Sequence, residues 1–299
     1  MKTLSEIITN AEKEKKAIGH FNISDIVTLH AIAYAARDLS VPVIIGVSEG
    51  ERAFLGTKRA VDMIHSVREE YGLSIYLNSD HTHTLEDIKI VVDAGFDAAV
   101  FDPVAKARKE GRDFSFEDHI KVTKEAVEYA KSVNNSFIVE GELGYIGSSS
   151  TIWDEIPAGA DISADALTRA EEARQFVQET GVGLLAPSVG NIHGMFSRAA
   201  NPRLDIERIR DIRTHTNVSL VLHGGSGICD EDFISAIESG IGIVHINTEL
   251  RVAWRKAMER SLGQNIHEIV PYKLLTEPQK AVYEVAAKRL RLFNHILNV

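Results

Sequence analysis

Short runs of β-branched and aliphatic residues alternate with segments whose apolar positions recur at helical spacing, from one end of the chain to the other. The runs are Ala17–Ile23, Pro42–Ser48, Ser74–Asp80, Ala98–Asp102, Phe137–Leu143, Gly183–Val189, Leu220–Ser226 and Ile241–Asn247. Between them lie amphipathic stretches such as Leu85–Ala94, Phe116–Ser132, Arg169–Thr180, Ile206–Thr216 and Glu231–Ser239. This is the rhythm of βαβ units, which forces a parallel sheet. Thr84 with Asp87, and Thr168 with Glu171, stand where two of the helices need N-caps. Eight units closing on themselves predict an α/β fold, a (β/α)8 TIM barrel, with a doubly wound open sheet as the other arrangement the rhythm allows. No linker breaks the pattern, so residues 1–299 are expected to form one domain with a C-terminal helical extension. The irregular stretch from Gly144 to Asp165 interrupts one unit and predicts a functional loop.

Composition narrows the chemistry. The chain has 299 residues, 44% hydrophobic and 25% charged, and no apolar run approaches the roughly 18 residues a membrane span needs. The opening MKTLSEIITNAEKEKK mixes apolar and charged positions and lacks the form of a signal peptide, so a cytoplasmic location is expected. A net charge of −10 argues against nucleic acid or an anionic membrane as partner, because both demand a basic face. A phosphorylated small molecule needs only a few local donors and remains compatible. With one cysteine, Cys229, any metal site must draw on carboxylates and the twelve histidines.

In a barrel the C-terminal ends of the strands carry the site. Here those ends are polar: Asn22, Ser48, Asp80 with His81 and His83, Asp102, Glu142, His193 just past the sixth run, His223 with Gly224-Gly225-Ser226, and His245 with Asn247. A lone strand-end histidine is more often structural than a ligand. Three or more converging on one mouth beside carboxylates have the makings of a catalytic zinc site, in which three protein ligands leave a position for substrate. The step LHGGSG after the seventh run, followed by Asn247-Thr248 after the eighth, falls where barrels often seat phosphate. Glycine there admits close approach of backbone N–H groups, and Ser226 and Thr248 add hydroxyls at helix N-termini.

The segments NSDHTHTLEDIKIVVDAGFDAAVFD, VEGELGYIG, NIHG, LVLHGGSG and HINTEL, in that order, resemble the class II fructose-bisphosphate aldolase family. The resemblance runs from the first strand to the C-terminal helix. It implies zinc held by His81, His193 and His223, with Glu142 matching a family glutamate near the metal. Asp80 takes the position of the general base on the C4 hydroxyl of a ketose bisphosphate. Gly194, Gly224, Ser226 and Thr248 match the phosphate loops, with Arg198 near a basic position that follows the HG pair. Asn22 and Ser48 match positions facing the distal half of the sugar, and His245 and Asn247 at the end of the eighth run are expected to contact substrate as well. The family also uses a monovalent cation, Na+ or K+, at those loops, and favours homodimers or homotetramers.

Three positions depart from the family pattern. His245 stands where many members have Asn. Pro271-Tyr272-Lys273 stands where members often carry an Arg that reaches the distal phosphate of a neighbouring subunit. The loop Gly147-Ser148-Ser149-Ser150 lacks the family's acid, which leaves Asp154 and Glu155 as candidate proton donors to the substrate carbon, and His245 behind them. Fructose 1,6-bisphosphate is the leading substrate, with tagatose bisphosphate and the keto-acid sugar phosphate of inositol breakdown as alternatives. A metal-dependent hydrolase, suggested by His81-Thr82-His83, and a sugar-phosphate-binding barrel without turnover are the rival functions. Cys229, Trp153, Trp254 and the histidines at 20, 30, 65, 119, 215, 267 and 295 are expected to serve packing and structure.

Overall fold

The computed structural model describes residues 2–147, 150–154, 163, 165–198 and 200–296. Its strands are β1 Ile18–Asn22, β2 Val43–Val47, β3 Ile75–Thr82, β4 Ala98–Phe101, β5 Ile138–Leu143, β6 Ile152–Trp153, β7 Leu184–Pro187, β8 Met195–Phe196, β9 Ser219–Leu222 and β10 Ile241–Ile246. Its helices are α1 Leu4–Lys13, α2 Ile26–Leu39, α3 Glu49–Leu55, α4 Thr57–Tyr71, α5 Leu85–Ala94, α6 Pro103–Lys109, α7 Phe116–Val133, α8 Ala170–Thr180, α9 Ile206–His215, α10 Asp230–Glu238, α11 Thr248–Gln264, α12 Pro271–Leu274 and α13 Thr276–Phe293.

Eight strands, one from each of the eight β-rich runs, close into a parallel barrel in the order β1-β10-β9-β7-β5-β4-β3-β2. Parallel strands are covered on both faces, which is why these runs are nearly continuously apolar. Their outward side chains meet the surrounding helices in one large core that includes Leu29, Ile45, Phe101, Phe176 and Phe233. Their inward side chains form a second, smaller core of Ile18, Ile44, Tyr76, Leu184, Val221 and Ile243 near the strand starts. α1 plugs that end: Leu4 and Ile8 pack into the inner cluster, and the Tyr76 hydroxyl donates to the Lys2 carbonyl at 2.7 Å. α13 extends the chain past the last barrel unit and packs against α2 and α11.

Two local expectations change. Thr168 does not cap α8; the cap is Arg169, with no side-chain bond. The Thr168 hydroxyl instead donates to the Leu143 carbonyl at 2.6 Å and accepts from the Ser188 N–H at 2.9 Å, tying the ends of β5 and β7. The loop after β5 also contains β6, which pairs in parallel with β8, so the long loop is fastened to the turn that carries His193.

The middle of the barrel is polar and tightly fitted. A Cβ added to Gly46 would stand 2.2 Å from the His20 ring, so β2 needs glycine opposite that histidine. Gly46→Ala is expected to destabilise the protein by about 1–3 kcal/mol, and most of that cost should vanish in a His20→Ala background. Chemical denaturation of the two single variants and the double variant checks this; an equal cost in both backgrounds excludes the contact as the cause.

His119, on α7, lies against Phe176 with ring centroids 4.7 Å apart, and its Nε2 has no hydrogen bond. Burial pushes its pKa down from 6.5 to about 4. As pH falls through 6.5 the unfolded chain therefore takes a proton that the folded chain refuses. The stability this neutral histidine retains above pH 6.5 is lost progressively down to about pH 4, roughly 3 kcal/mol in all. His119→Leu should flatten the stability profile across that window, as read by denaturation midpoints at several pH values.

Candidate active site

The end of β3 is irregular in a way that builds the site. Its pairing with β4 shifts register between Ser79 and Thr82, and His81 sits at φ 48°, in the left-handed region. That conformation costs a non-glycine residue roughly 1–3 kcal/mol. Strand alternation would send Asp80 and His81 to opposite faces. The bulge overrides it: both line the same cavity, with Asp80 Oδ1 at 3.9 Å from His81 Nε2.

His81 meets His193, from the turn after β7, and His223, just past β9. Ring centroids lie 5.0 Å apart for His81–His193, 5.3 Å for His81–His223 and 5.6 Å for His193–His223. One ligand atom from each falls within 4.8 Å of the others. The remaining nitrogens are oriented from behind. His193 Nδ1 is 2.8 Å from the Gly147 carbonyl, and His223 Nε2 is 2.7 Å from Glu140 Oε1. His223 Nδ1 and Glu142 Oε2 are both buried without a hydrogen bond, 3.3 Å apart. Buried atoms of this kind are costly unless something binds them. Imidazoles oriented from behind, with free inner nitrogens and a carboxylate alongside, fit a tetrahedral cation.

Electrostatics agree with that fit. Burial holds His193 at about 4 and pushes His223 down, so both offer lone pairs at neutral pH. Burial also disfavours charge on His81, but Asp80, Asp102 and Glu142 outweigh it and lift its pKa to about 10. Burial and then the charge on Asp102 push Glu142 up. The surrounding carboxylates thus favour a positive charge at His81, the place a bound cation would take.

Asp80 is held from the other side. Burial raises its pKa, but His81 and His245 hold it well below the usual carboxylate range. Its Oδ2 accepts from Asn22 Nδ2 at 2.9 Å, and its Oδ1 lies 3.6 Å from His245 Nδ1. Asn22 Nδ2 also donates to Glu51 at 2.9 Å. Glu51 in turn accepts from the Ser48 backbone N–H at 2.7 Å and from Arg251 at 2.6 Å. His245 is sandwiched between His20, with centroids at 3.5 Å, and His223, at 4.1 Å.

Asn22, Gly194, Gly224, Ser226, His245, Asn247 and Thr248 line a small recess beside the histidines, and α11 begins there. Ser226 Oγ accepts from the backbone N–H groups of Asn247 at 3.3 Å and Glu249 at 3.2 Å. Gly224 has φ 63°, and a Cβ there would stand 2.6 Å from the Ile192 carbonyl. Such a glycine-lined helix start suits an anion. The Trp153 indole N–H donates to the His193 carbonyl at 2.9 Å, so this tryptophan braces the ligand turn. A larger cavity of about 760 Å³ opens from the histidines past Ser48, Asp102, Glu142 and Tyr145.

Two expected participants are not brought in. Arg198 is 81% exposed, lies 3.9 Å from Asp154, and lines neither cavity. Asp154 accepts the Ser197 hydroxyl at 2.6 Å and likewise lines neither, and Glu155, Ser148 and Ser149 lie outside the described residues. Sequence reasoning also passed over Glu140, Glu51, Arg251 and His20. Glu140 was signalled by its spacing from Glu142, since residues two apart on a strand share a face. His20, treated as structural from its early place in β1, lies within reach of Asp80 and His245, and nothing in its own segment marks that.

Comparison with known proteins places this geometry. Residues 2–296 match the family model described as fructose-bisphosphate aldolase class-II. The fructose-bisphosphate aldolase of Geobacillus stearothermophilus is 31% identical over 97% of this chain and 96% of its own length. That of Staphylococcus epidermidis is 30% identical over the same shares. Among solved structures, the YdjI aldolase from Escherichia coli K12 superposes with a TM-score of 0.79 at 29% identity, covering 97% of this chain and 96% of that one. With its eight-stranded barrel and its histidines and aspartate at the mouth, the chain belongs to the class II fructose-bisphosphate aldolase family and is a carbon–carbon lyase.

Proposed function

We propose that the enzyme cleaves the C3–C4 bond of a ketose bisphosphate, fructose 1,6-bisphosphate foremost, into dihydroxyacetone phosphate and an aldehyde, with zinc held by His81, His193 and His223. The observation that carries the reading is the meeting of these three histidines, beside Asp80, between the anion recess and the larger cavity. Zinc, when bound, polarises the ketose carbonyl and stabilises the charge left by cleavage.

The chain's own residues do the rest. The recess at Gly224, Ser226 and Thr248 holds the phosphate of the triose half and so fixes where C3 and C4 lie. Asp80, ionised at neutral pH, takes the proton from the C4 hydroxyl in cleavage and returns it in condensation. Asn22 donates to its Oδ2 and the His245 ring stands 3.6 Å from its Oδ1, so the carboxylate is placed before transfer. Glu142 stands between His81 and His223 and balances charge beside the metal. Ser48, on the rim of the larger cavity, faces the aldehyde half. The exposed apolar side chains Ile266, Ile269 and Tyr272 support assembly as a homodimer or homotetramer, which sedimentation would measure.

Chelation should abolish cleavage and added zinc restore it. His223→Ala should lose both stoichiometric zinc and activity; zinc retained with near-normal turnover would sink the ligand assignment. Asp80→Ala should keep its zinc and its exchange of the C3 proton of dihydroxyacetone phosphate while cleavage falls roughly 10²–10⁴-fold. Equal loss of exchange and cleavage would show that Asp80 serves the site more generally than proton transfer at C4.

A further inference from the structure

The barrel order sets where the far end of a substrate goes. From β10, whose end carries Asn247 and Thr248, the strand order runs four steps either way to β4, so the two stand across the mouth from each other. The segment that follows β4 is α6, capped by Asp102, whose carboxylate accepts from the Ala105 N–H at 2.9 Å. A molecule with one phosphate in the recess at β9 and β10, and its middle over the three histidines, runs toward α6.

α6 turns a cationic face to the larger cavity: Lys106, Arg108 and Lys109 all line it. Among the described residues none of the three has an ion-pair partner. Arg108 lies over the Tyr145 ring, 4.3 Å from its centroid, which orders the guanidinium at the cavity wall. Of the acids on the same rim, Glu49 on α3 is exposed and has no ion-pair partner among the described residues, while two others are engaged. Glu110 pairs with Arg112 at 2.6 Å, and Asp87 accepts the Thr84 hydroxyl. Lys273, the residue nearest to the family's distal-phosphate position, pairs with Glu268 at 3.1 Å and lines neither cavity.

We propose that Lys106, Arg108 and Lys109 form the seat for an anionic terminus, phosphate or carboxylate, on the aldehyde half of the substrate. This rests on the aldolase reading above and specifies its substrate class. A guanidinium ordered on an aromatic face, flanked by two ammonium groups, recognises either anion by charge-assisted hydrogen bonds.

The test is condensation with dihydroxyacetone phosphate, using glyceraldehyde 3-phosphate against glyceraldehyde and glucuronate against glucose as acceptors. The wild-type enzyme should prefer the anionic member of at least one pair, and the pair that shows the preference identifies the anion. In the Lys106→Ala/Arg108→Ala/Lys109→Ala variant that ratio of kcat/KM values should fall roughly 10–100-fold, chiefly through KM. The Lys106→Arg/Lys109→Arg variant, which conserves charge, should keep most of it. A triple variant that retains the wild-type ratio, or a wild-type enzyme with no anion preference, overturns the subsite while leaving the aldolase reading intact. Failure of the wild-type enzyme to exchange the C3 proton of dihydroxyacetone phosphate overturns both.

Discussion

Four carboxylates, Asp80, Asp102, Glu140 and Glu142, lie at the mouth of this barrel with no more than 6% of their surface exposed. Burying one unpaired carboxylate is expensive, and burying several together compounds desolvation with mutual repulsion. The fold meets that constraint with imidazoles. Glu140 bonds His223, Asp80 faces His81 and His245, and Asp102 and Glu142 face His81. Burial pushes Glu140 and Glu142 toward the protonated form, while His81 and His245 keep Asp80 charged. The same constraint sorts the carboxyls: burial turns Glu140 and Glu142 toward the neutral form, while Asp80 and Asp102, both facing His81, are held toward the charged one.

Holding such a cluster requires stiffness, and the supports reach well away from it. Gly46 makes room for His20, His20 stacks on His245, and His245 stacks on His223, so a glycine in β2 bears on the buried His223 ring. Glu51 gathers Asn22, the Ser48 backbone and Arg251, joining the ends of β1 and β2 to the first turn of α11. Trp153 and the short β6–β8 ribbon fix the His193 turn to the loop after β5. Each support relies on side chains that pack only when the barrel is closed, so the site is organised before any substrate arrives.

The closed strand order also gives the mouth a direction. Glycine-rich backbone at β9 and β10 forms one pole, lysines and arginine on α6 the other, and the histidines lie between them. A ketose that carries an anion at each end matches this axis.

Much of this was legible in the chain itself. Local patterning depends on neighbours in sequence, so the eight strands, the long irregular loop after β5 and the polar strand ends followed from periodicity and composition. The glutamate pair at 140 and 142 was open to the same reading. Other features needed the tertiary structure because they depend on what closes against what. The left-handed turn at His81 exists because β3 slips register against β4, and it puts two adjacent residues into one cavity. Arg198 is exposed beside Asp154, and α6 lies across from β10 because the barrel has eight strands and β4, which precedes α6, stands half a turn from β10. Sequence, through local spacing, marked the polar strand ends as the place for chemistry; barrel closure decided which of those residues meet, because contacts between distant segments are set by strand order and register.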